Sequence, residues 1–519
     1  MAVSGQVDNI KNWGETIKSF THPRVLTMLF LGFSAGVPIL LIFSSLGLWL
    51  REAGVERSAV TFFSWAALGY SFKFVWAPLV DKLPIPLLTA LLGRRRSWML
   101  LSQVAIIGSI FWMAQTDPTV DGSLTIMALA AVLLGFSSAT QDVVIDAYRI
   151  ESAKSDLQAL MSSTYIAGYR IGMLVAGAGA LYLASYFGSD KGVYNYQAWQ
   201  MSYIIMAAVM LVGLATTLII SEPTIQRPDE SKYSSGDYVR FLLLFLIAVA
   251  GFIATFYFST DIAKATKKVL TETLSNKHLA GFLVQIIRLS LALAIAAFLA
   301  TVLVKLGIVN KKMVESTYVA PVKDFFSRYG MSLAWLLLAL IGLYRISDIV
   351  LGVISNVFYQ DLGYSKVEIA SVVKTFGLFM TIAGGFLGGL LSVRFGVMKI
   401  LLLGALLSAI TNLLFMWLAQ VGYNMPMLYL VISADNISAG LASAAFIAFL
   451  SSLTNITFTA VQYAIFSSLM TLLPKILGGY SGTMVDGLGY SNFFLITAIM
   501  GLPVLLLIIF AGKHLEKNK

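Results

Sequence analysis

The chain has 519 residues, 58% of them hydrophobic and 12% charged, with a net charge of +10 and no cysteine. Its mean hydropathy of +0.82 excludes a disordered chain and an ordinary soluble domain, and places it among integral membrane proteins. Without cysteine there is no disulfide framework, thiolate nucleophile or cysteine metal site. Excess lysine and arginine on one side of a membrane accounts for the net charge, so no nucleic-acid partner is expected.

Residues 1–24 are polar and carry Lys11, Lys18 and Arg24. No short apolar region precedes a small-residue cleavage site there, so a cleaved signal peptide is not expected. Apolar stretches follow, each near the ~20 residues that a helix needs to cross a bilayer. They fall at about 25–48, 59–80, 97–115, 124–147, 160–187 and 199–220. A pair lies at about 239–258 and 281–305. Six more lie near 331–356, 367–391, 397–419, 426–450, 460–480 and 490–511. The expectation is an all-α polytopic membrane protein of about fourteen spans. It parses as a six-helix block at 1–222, a linker with two extra spans at 223–328, and a second six-helix block at 329–519.

An even number of spans puts both termini on one side. That side holds Arg24, Lys82, Arg94, Arg95, Arg96, Arg149, Arg240, Lys311, Lys312, Lys323, Arg328, Arg394, Lys399 and Lys513. The other side is poorer in basic residues apart from Lys264, Lys267, Lys268 and Lys277 in the central hairpin. The bias puts both termini in the cytoplasm. The three histidines, His22, His278 and His514, fall outside the expected spans, which argues against an intramembrane histidine relay. Trp49, Trp98 and Trp199 sit near expected boundaries, as interfacial anchors or as packed aromatics.

Glycines four apart, at Gly32 and Gly36, Gly168 and Gly172, Gly384 and Gly388, and Gly385 and Gly389, are spaced for close helix crossing.

Charges inside the spans carry the functional signal, because an ionisable residue in a membrane is costly and usually has a partner or lines a pathway. In the first block, Asp142 and Asp146 are one turn apart on one helix face, preceded by Gln141. Lys73 lies at a similar depth and Arg170 near the middle of the fifth span, so Lys73, Asp142 and Arg170 are expected to cluster. Asp146 is expected nearer the interface, paired with Arg149. In the second block, Arg345 and Asp348 are three apart, within pairing range on a helix, beside Tyr344. Lys374 and the Asp435–Asn436 pair complete the set. Each could instead be a structural ion pair or a helix–helix hydrogen bond. Asp81 and Arg94, Arg95 and Arg96 form a basic, glycine-containing connection after the second span, stretched by Pro84 to Pro86. It is plain positive-inside topology or, as its loose resemblance to the loop after the second helix of major-facilitator transporters implies, a set of gating candidates.

Several runs together resemble the AmpG family of muropeptide permeases, within the major facilitator superfamily. They are Phe72-Lys73-Phe74 with Trp76-Ala77-Pro78-Leu79 and Asp81; Gly93-Arg94-Arg95-Arg96 with Trp98; Gln141-Asp142 with Asp146-Ala147; and Gly168-Tyr169-Arg170 with Gly172. Leu343-Tyr344, Asp348, Lys374-Thr375 with Gly377, Asn436 and Gln462 continue it. The resemblance covers both blocks but not the central pair, which familiar members carry after the second block. It implies a major-facilitator fold of two six-helix bundles. It also implies proton-coupled import of anhydromuropeptides across a bacterial inner membrane for peptidoglycan recycling, which in some bacteria feeds β-lactamase induction. On that reading Asp142, Asp348, Asp435 and Asp146 are the proton-coupling candidates. Lys73, Gln141, Arg170, Tyr344, Arg345, Lys374, Asn436 and Gln462 are the substrate-binding candidates. The expected partners are a glycopeptide, protons and membrane lipids, with the protein a monomer and no cofactor or metal. Rival readings are a transporter of another amphipathic anion such as acetyl-coenzyme A, a non-transporting receptor, and an intramembrane aspartyl enzyme. The enzyme would need two carboxylates close enough to share a proton.

Overall fold

A computed structural model describes residues 18–55, 70, 72–153, 155–189, 193–224, 233–274, 277–364, 368–478 and 481–517. Lys11 and most of the second expected span lie outside them. Among the described residues, eleven helices are long and apolar enough to cross a membrane, and two shorter apolar stretches occupy Ser290–Lys305 and Ile456–Leu472. The expected count of about fourteen is not confirmed, because most of the second expected span lies outside the described residues.

The first block contains α1 (Pro23–Leu40), α2 (Arg94–Ala114), α3 (Ser123–Ser152), α4 (Ser155–Leu174), α5 (Tyr196–Val209) and α6 (Leu211–Ile219). The central segment forms α7 (Ser235–Phe258), α8 (Thr260–Leu274) and α9 (Lys277–Lys305). The second block contains α10 (Ala320–Leu343), α11 (Ile346–Asp361), α12 (Gly377–Phe395), α13 (Val397–Val421), α14 (Met425–Leu453), α15 (Thr459–Gly478), α16 (Ser481–Met500) and α17 (Leu502–Lys517). Polar residues start these helices where free N–H groups need acceptors. Asn195 caps α5 through the amides of Gln197 and Ala198, and Asn424 caps α14 through that of Met427. Pro23 opens α1, where its missing N–H costs nothing.

Two compact units emerge. One comprises Met1–Val80, Pro84–Ile225 and Tyr329–Lys519; the other comprises Asp81–Leu83 with Gln226–Arg328.

Within the first unit, the glycine pairs do what their spacing promised. The carbonyls of Tyr165 and Tyr169 occupy the space that a Cβ on Gly32 or Gly36 would need, and those of Leu29 and Phe33 occupy it for Gly168 and Gly172. Backbone thus meets backbone between α1 and α4. The carbonyls of Ile437 and Leu441 likewise press on Gly384 and Gly388 of α12. Such packing replaces the hydrophobic drive that lipid removes. Trp49 and Trp199 are not an interfacial belt. Both are buried and stacked on each other at 5.7 Å, with Trp199 donating to Glu52 at 2.8 Å.

Among the described residues, π-turns occupy Leu41–Ser45, Val175–Gly179, Glu315–Val319 and Ile369–Phe376. The expected single span near 331–356 is broken, with α10 ending at Leu343 and α11 starting at Ile346.

In the second unit, the expected basic connection is itself a helix, α8, with Ala263 buried and Ile262 and Val269 exposed. Arg288 of α9 caps α7, donating to the carbonyl of Phe256 at 2.5 Å and to the hydroxyls of Ser259 at 3.0 Å and Thr260 at 3.2 Å.

Candidate functional site

The first charge cluster gathers on α3. This helix runs to Ser152, five residues beyond its expected end at 147. At 1.5 Å per residue, Asp146 therefore lies about 9 Å inside the helix end rather than at an interface. Asp146 and Asp142 are both buried. Lys73, on a short 3₁₀ turn, pairs with Asp146 at 3.8 Å and lies within electrostatic reach of Asp142. Asp142 Oδ1 is buried with no hydrogen-bond partner among the described residues. Gln141, fully buried, accepts from Ser34 at 3.0 Å. Arg149 holds Asp146 at 3.2 Å.

Arg170 does not join this cluster. It is half-buried, has no hydrogen bond or ion pair among the described residues, and lies within electrostatic reach of Arg345 from the other half. The expected grouping of Lys73, Asp142 and Arg170 is thus Lys73, Asp142, Asp146 and Arg149, with Arg170 turned toward the second block. Helix spacing gave the common face of Asp142 and Asp146. It could not give the rotation of α4 that aims Arg170.

The second cluster forms around the break between α10 and α11. Arg345 Nε lies 3.1 Å from Asp348 Oδ2, and Arg345 also donates to Ser443. Asp348 accepts from Ser408. Asp435 is hydrogen-bonded to Thr411 and lies within electrostatic reach of Asp348 and Arg345. Tyr344 is buried, stacked on Phe446 and donating to the Leu401 carbonyl at 3.0 Å. Lys374, on the π-turn, is exposed in the protein and has no partner among the described residues. Asn436 accepts from Thr381 at 2.8 Å and donates to the Ile432 carbonyl at 2.9 Å, joining α14 to α12. Gln462 accepts from the Asn455 amide at 2.7 Å, at the start of α15.

The basic connection works within the first block. Arg95 is buried and grips Glu151 with two nitrogens, at 2.9 and 2.5 Å. Arg96 donates to the carbonyls of Thr217 at 3.0 Å and Leu218 at 2.7 Å, closing the end of α6. Glu222 accepts from the amides of Arg95 and Arg96 at 2.8 and 3.0 Å, at the positive start of α2. Asp81 is buried, and Arg94 opens α2. Glu151 and Glu222 were invisible as partners in the sequence, because their contacts span 56 and 127 residues.

Two helical blocks with charges inside their apolar helices fit a membrane transporter. Residues 25–355 match the Major Facilitator Superfamily. A putative transporter AmpG 4 from Rickettsia conorii is 30% identical over 499 residues, covering 96% of this chain and 99% of that protein. The anhydromuropeptide permease of Escherichia coli K12 is 27% identical over 504 residues, covering 97% of this chain and 82% of that protein. Among solved structures, the proton:xylose symporter XylE aligns with a TM-score of 0.58 at 13% identity, over 95% of both chains. The fucose:proton symporter FucP of E. coli aligns with a TM-score of 0.58 at 11% identity, over 95% of this chain and 99% of that one. The chain belongs to the major facilitator superfamily and, within it, to the AmpG transporters. It is a multi-pass membrane permease acting on a small molecule.

Proposed function

We propose that the chain imports anhydromuropeptides from periplasm to cytoplasm by proton symport, as a monomer in a bacterial inner membrane with both termini cytoplasmic. The observation that carries the reading is Arg170 and Arg345 within electrostatic reach of each other from opposite halves, Arg170 with no anion of its own among the described residues. A cation inside the membrane with no anion of its own favours an anionic guest. A muropeptide brings carboxylates for it and sugar hydroxyls and amides for hydrogen bonding. Lys374 adds a second cation with no partner among the described residues. Asp142 and Asp348 are the first candidates for carrying the coupled proton, with Asp435 in reserve and Asp146 last; each is an aspartate beside a cation or a second carboxylate. The relatives named as AmpG transporters and as an anhydromuropeptide permease support the substrate, and the symporter folds are consistent with the coupling.

The organisation follows the six-two-six parsing, with 1–222 and 329–519 as the transporting bundles and 223–328 as a linker carrying two extra spans. Arg288 of that linker is half-buried and donates to the end of α7.

Uptake of labelled anhydromuropeptide into vesicles with an imposed pH gradient tests the reading. Uptake by the wild type, with at least a tenfold loss in Arg170→Gln at equal membrane expression, is expected. Wild-type vesicles that accumulate no label would overturn the substrate assignment. Asn replacement at the true proton carrier should abolish gradient-driven accumulation while leaving exchange. If both Asp142→Asn and Asp348→Asn still concentrate the label, the carrier is elsewhere.

A further inference from the structure

Arg149 lies in the first block, yet its surroundings come from both. Its side chain is fully buried. From its own block it meets Asp146 at 3.2 Å, Ser162 at 3.2 Å and Gln158 at 3.5 Å. From the second block, Ser451 of α14 accepts at 2.7 Å, and the ring of Tyr463 on α15 lies 5.2 Å from the guanidinium carbon. The blocks also touch nearby, where Gly389 of α12 meets Ser163 and Ala159 of α4. A buried guanidinium must keep its donors satisfied. Part of that satisfaction exists only while the two blocks are together.

The carboxylate next to it is shared. Asp146 Oδ1 faces Arg149 and Oδ2 faces Lys73. Lys73 in turn lies within electrostatic reach of Asp142. Tyr165 and Tyr169 on α4 and Tyr463 on α15 also face Asp146. We propose that Arg149 is a positioning residue that ties the Asp146 carboxylate to closure of the two blocks at the end carrying the termini. When the blocks part, Arg149 loses Ser451 and the Tyr463 face and draws Asp146 to itself. Lys73 is released toward Asp142. The inter-block contact and the carboxylate pair are thereby linked through one chain: Ser451, Arg149, Asp146, Lys73, Asp142. This rests on the chain being a transporter that alternates between open states, but not on its substrate. It gives the gating role that the sequence suggested for Arg95 and Arg96 to Arg149, which meets residues of both blocks.

The chain has no cysteine, so one engineered thiol is a sole reporter. Ala159, 3% exposed where the blocks meet, is replaced by cysteine. Its reaction with a membrane-impermeant maleimide is timed in vesicles, with the reagent on the side of the termini. One charge-assisted hydrogen bond across a closure shifts a two-state equilibrium by about tenfold. Ser451→Ala is therefore expected to speed labelling by about tenfold, and Arg149→Gln by at least as much. The Ser451→Ala/Arg149→Gln pair is expected to be no faster than Arg149→Gln alone. Asp146→Asn removes the anion that Arg149 turns to when the blocks part and leaves the Ser451 contact in place, so it is expected to slow labelling rather than speed it. Unchanged labelling in Ser451→Ala and Arg149→Gln, with both proteins monodisperse, would overturn the proposal. So would a fall in Tm without faster labelling, which is what a purely structural role gives. If Arg149→Gln does not fold, Ser451→Ala decides. The readout needs no substrate, so failed muropeptide uptake with accelerated labelling would sink the substrate and leave the latch standing.

Discussion

In the first block the buried charges sit on and beside an unbroken helix; in the second they sit where a helix has been interrupted. Asp142, Asp146 and Arg149 lie along α3, which is continuous for 30 residues. Lys73 and Asp146 are each 10% exposed at the side chain and Arg149 not at all. Arg345 lies in the gap between α10 and α11, 21% exposed, and its partner Asp348 is 15% exposed. The difference is one of access. A charge on an intact helix packed by other helices is sealed by them. At the interruption the side chains are less covered, and in other transporters charges and backbone at interrupted helices line the binding site. The first cluster is built to hold a closed contact and the second to be reached.

The largest expected effect tests the reachable side. Arg345→Gln or Asp348→Asn should reduce muropeptide uptake by roughly 10- to 100-fold, since each removes a group made to face a ligand. Tm in detergent should move by only a few degrees. A collapse in Tm with either variant would make the second cluster a structural pair and erase the contrast.

Next is the sealed side. Arg95→Ala leaves Glu151 buried without its bidentate partner. Breaking a buried pair from one side costs about 3–5 kcal/mol, so Tm should fall steeply. The Arg95→Ala/Glu151→Ala pair should lose less than the sum of the single losses, read by thermal unfolding. Additive losses would mean that the two residues act separately.

The smallest effect belongs to the central unit. Arg288→Gln removes hydrogen bonds at the end of α7, costing about 1.5–3 kcal/mol. Uptake should stay within about twofold of wild type if the central helices lie outside the path. A tenfold loss at equal expression would bring them into it.

Much of this was legible in the sequence. Span length gave the helical class, and four-residue glycine spacing gave the α1–α4 and α12–α14 crossings. Asp142, Asp146, Arg345 and Asp348 were found because charge in an apolar run is rare. Three things were not legible. The end of α3 was placed early because Arg149 was counted with the basic residues outside the membrane, whereas Ser451, far away in sequence, helps to bury it. The break at Tyr344–Arg345 contains no proline or glycine to announce it. Trp49 and Trp199 lie at the right depth for an interface, but hydropathy does not say which side of a helix faces lipid.

The two π-turns of the first block lie side by side. Ser45 donates to the Ala176 carbonyl at 3.3 Å, so Leu41–Ser45 and Val175–Gly179 meet at one level, just past the stretch where glycine locks α1 to α4. A π-turn shifts the register of the helical ladder by one residue and leaves it locally looser. Below that level the helices form one stiff double beam; above it both have a soft joint at the same height. A shared joint at that height would let the far ends swing together while the glycine-packed part keeps its shape. Closure at one mouth and opening at the other then need not be separate events in this block.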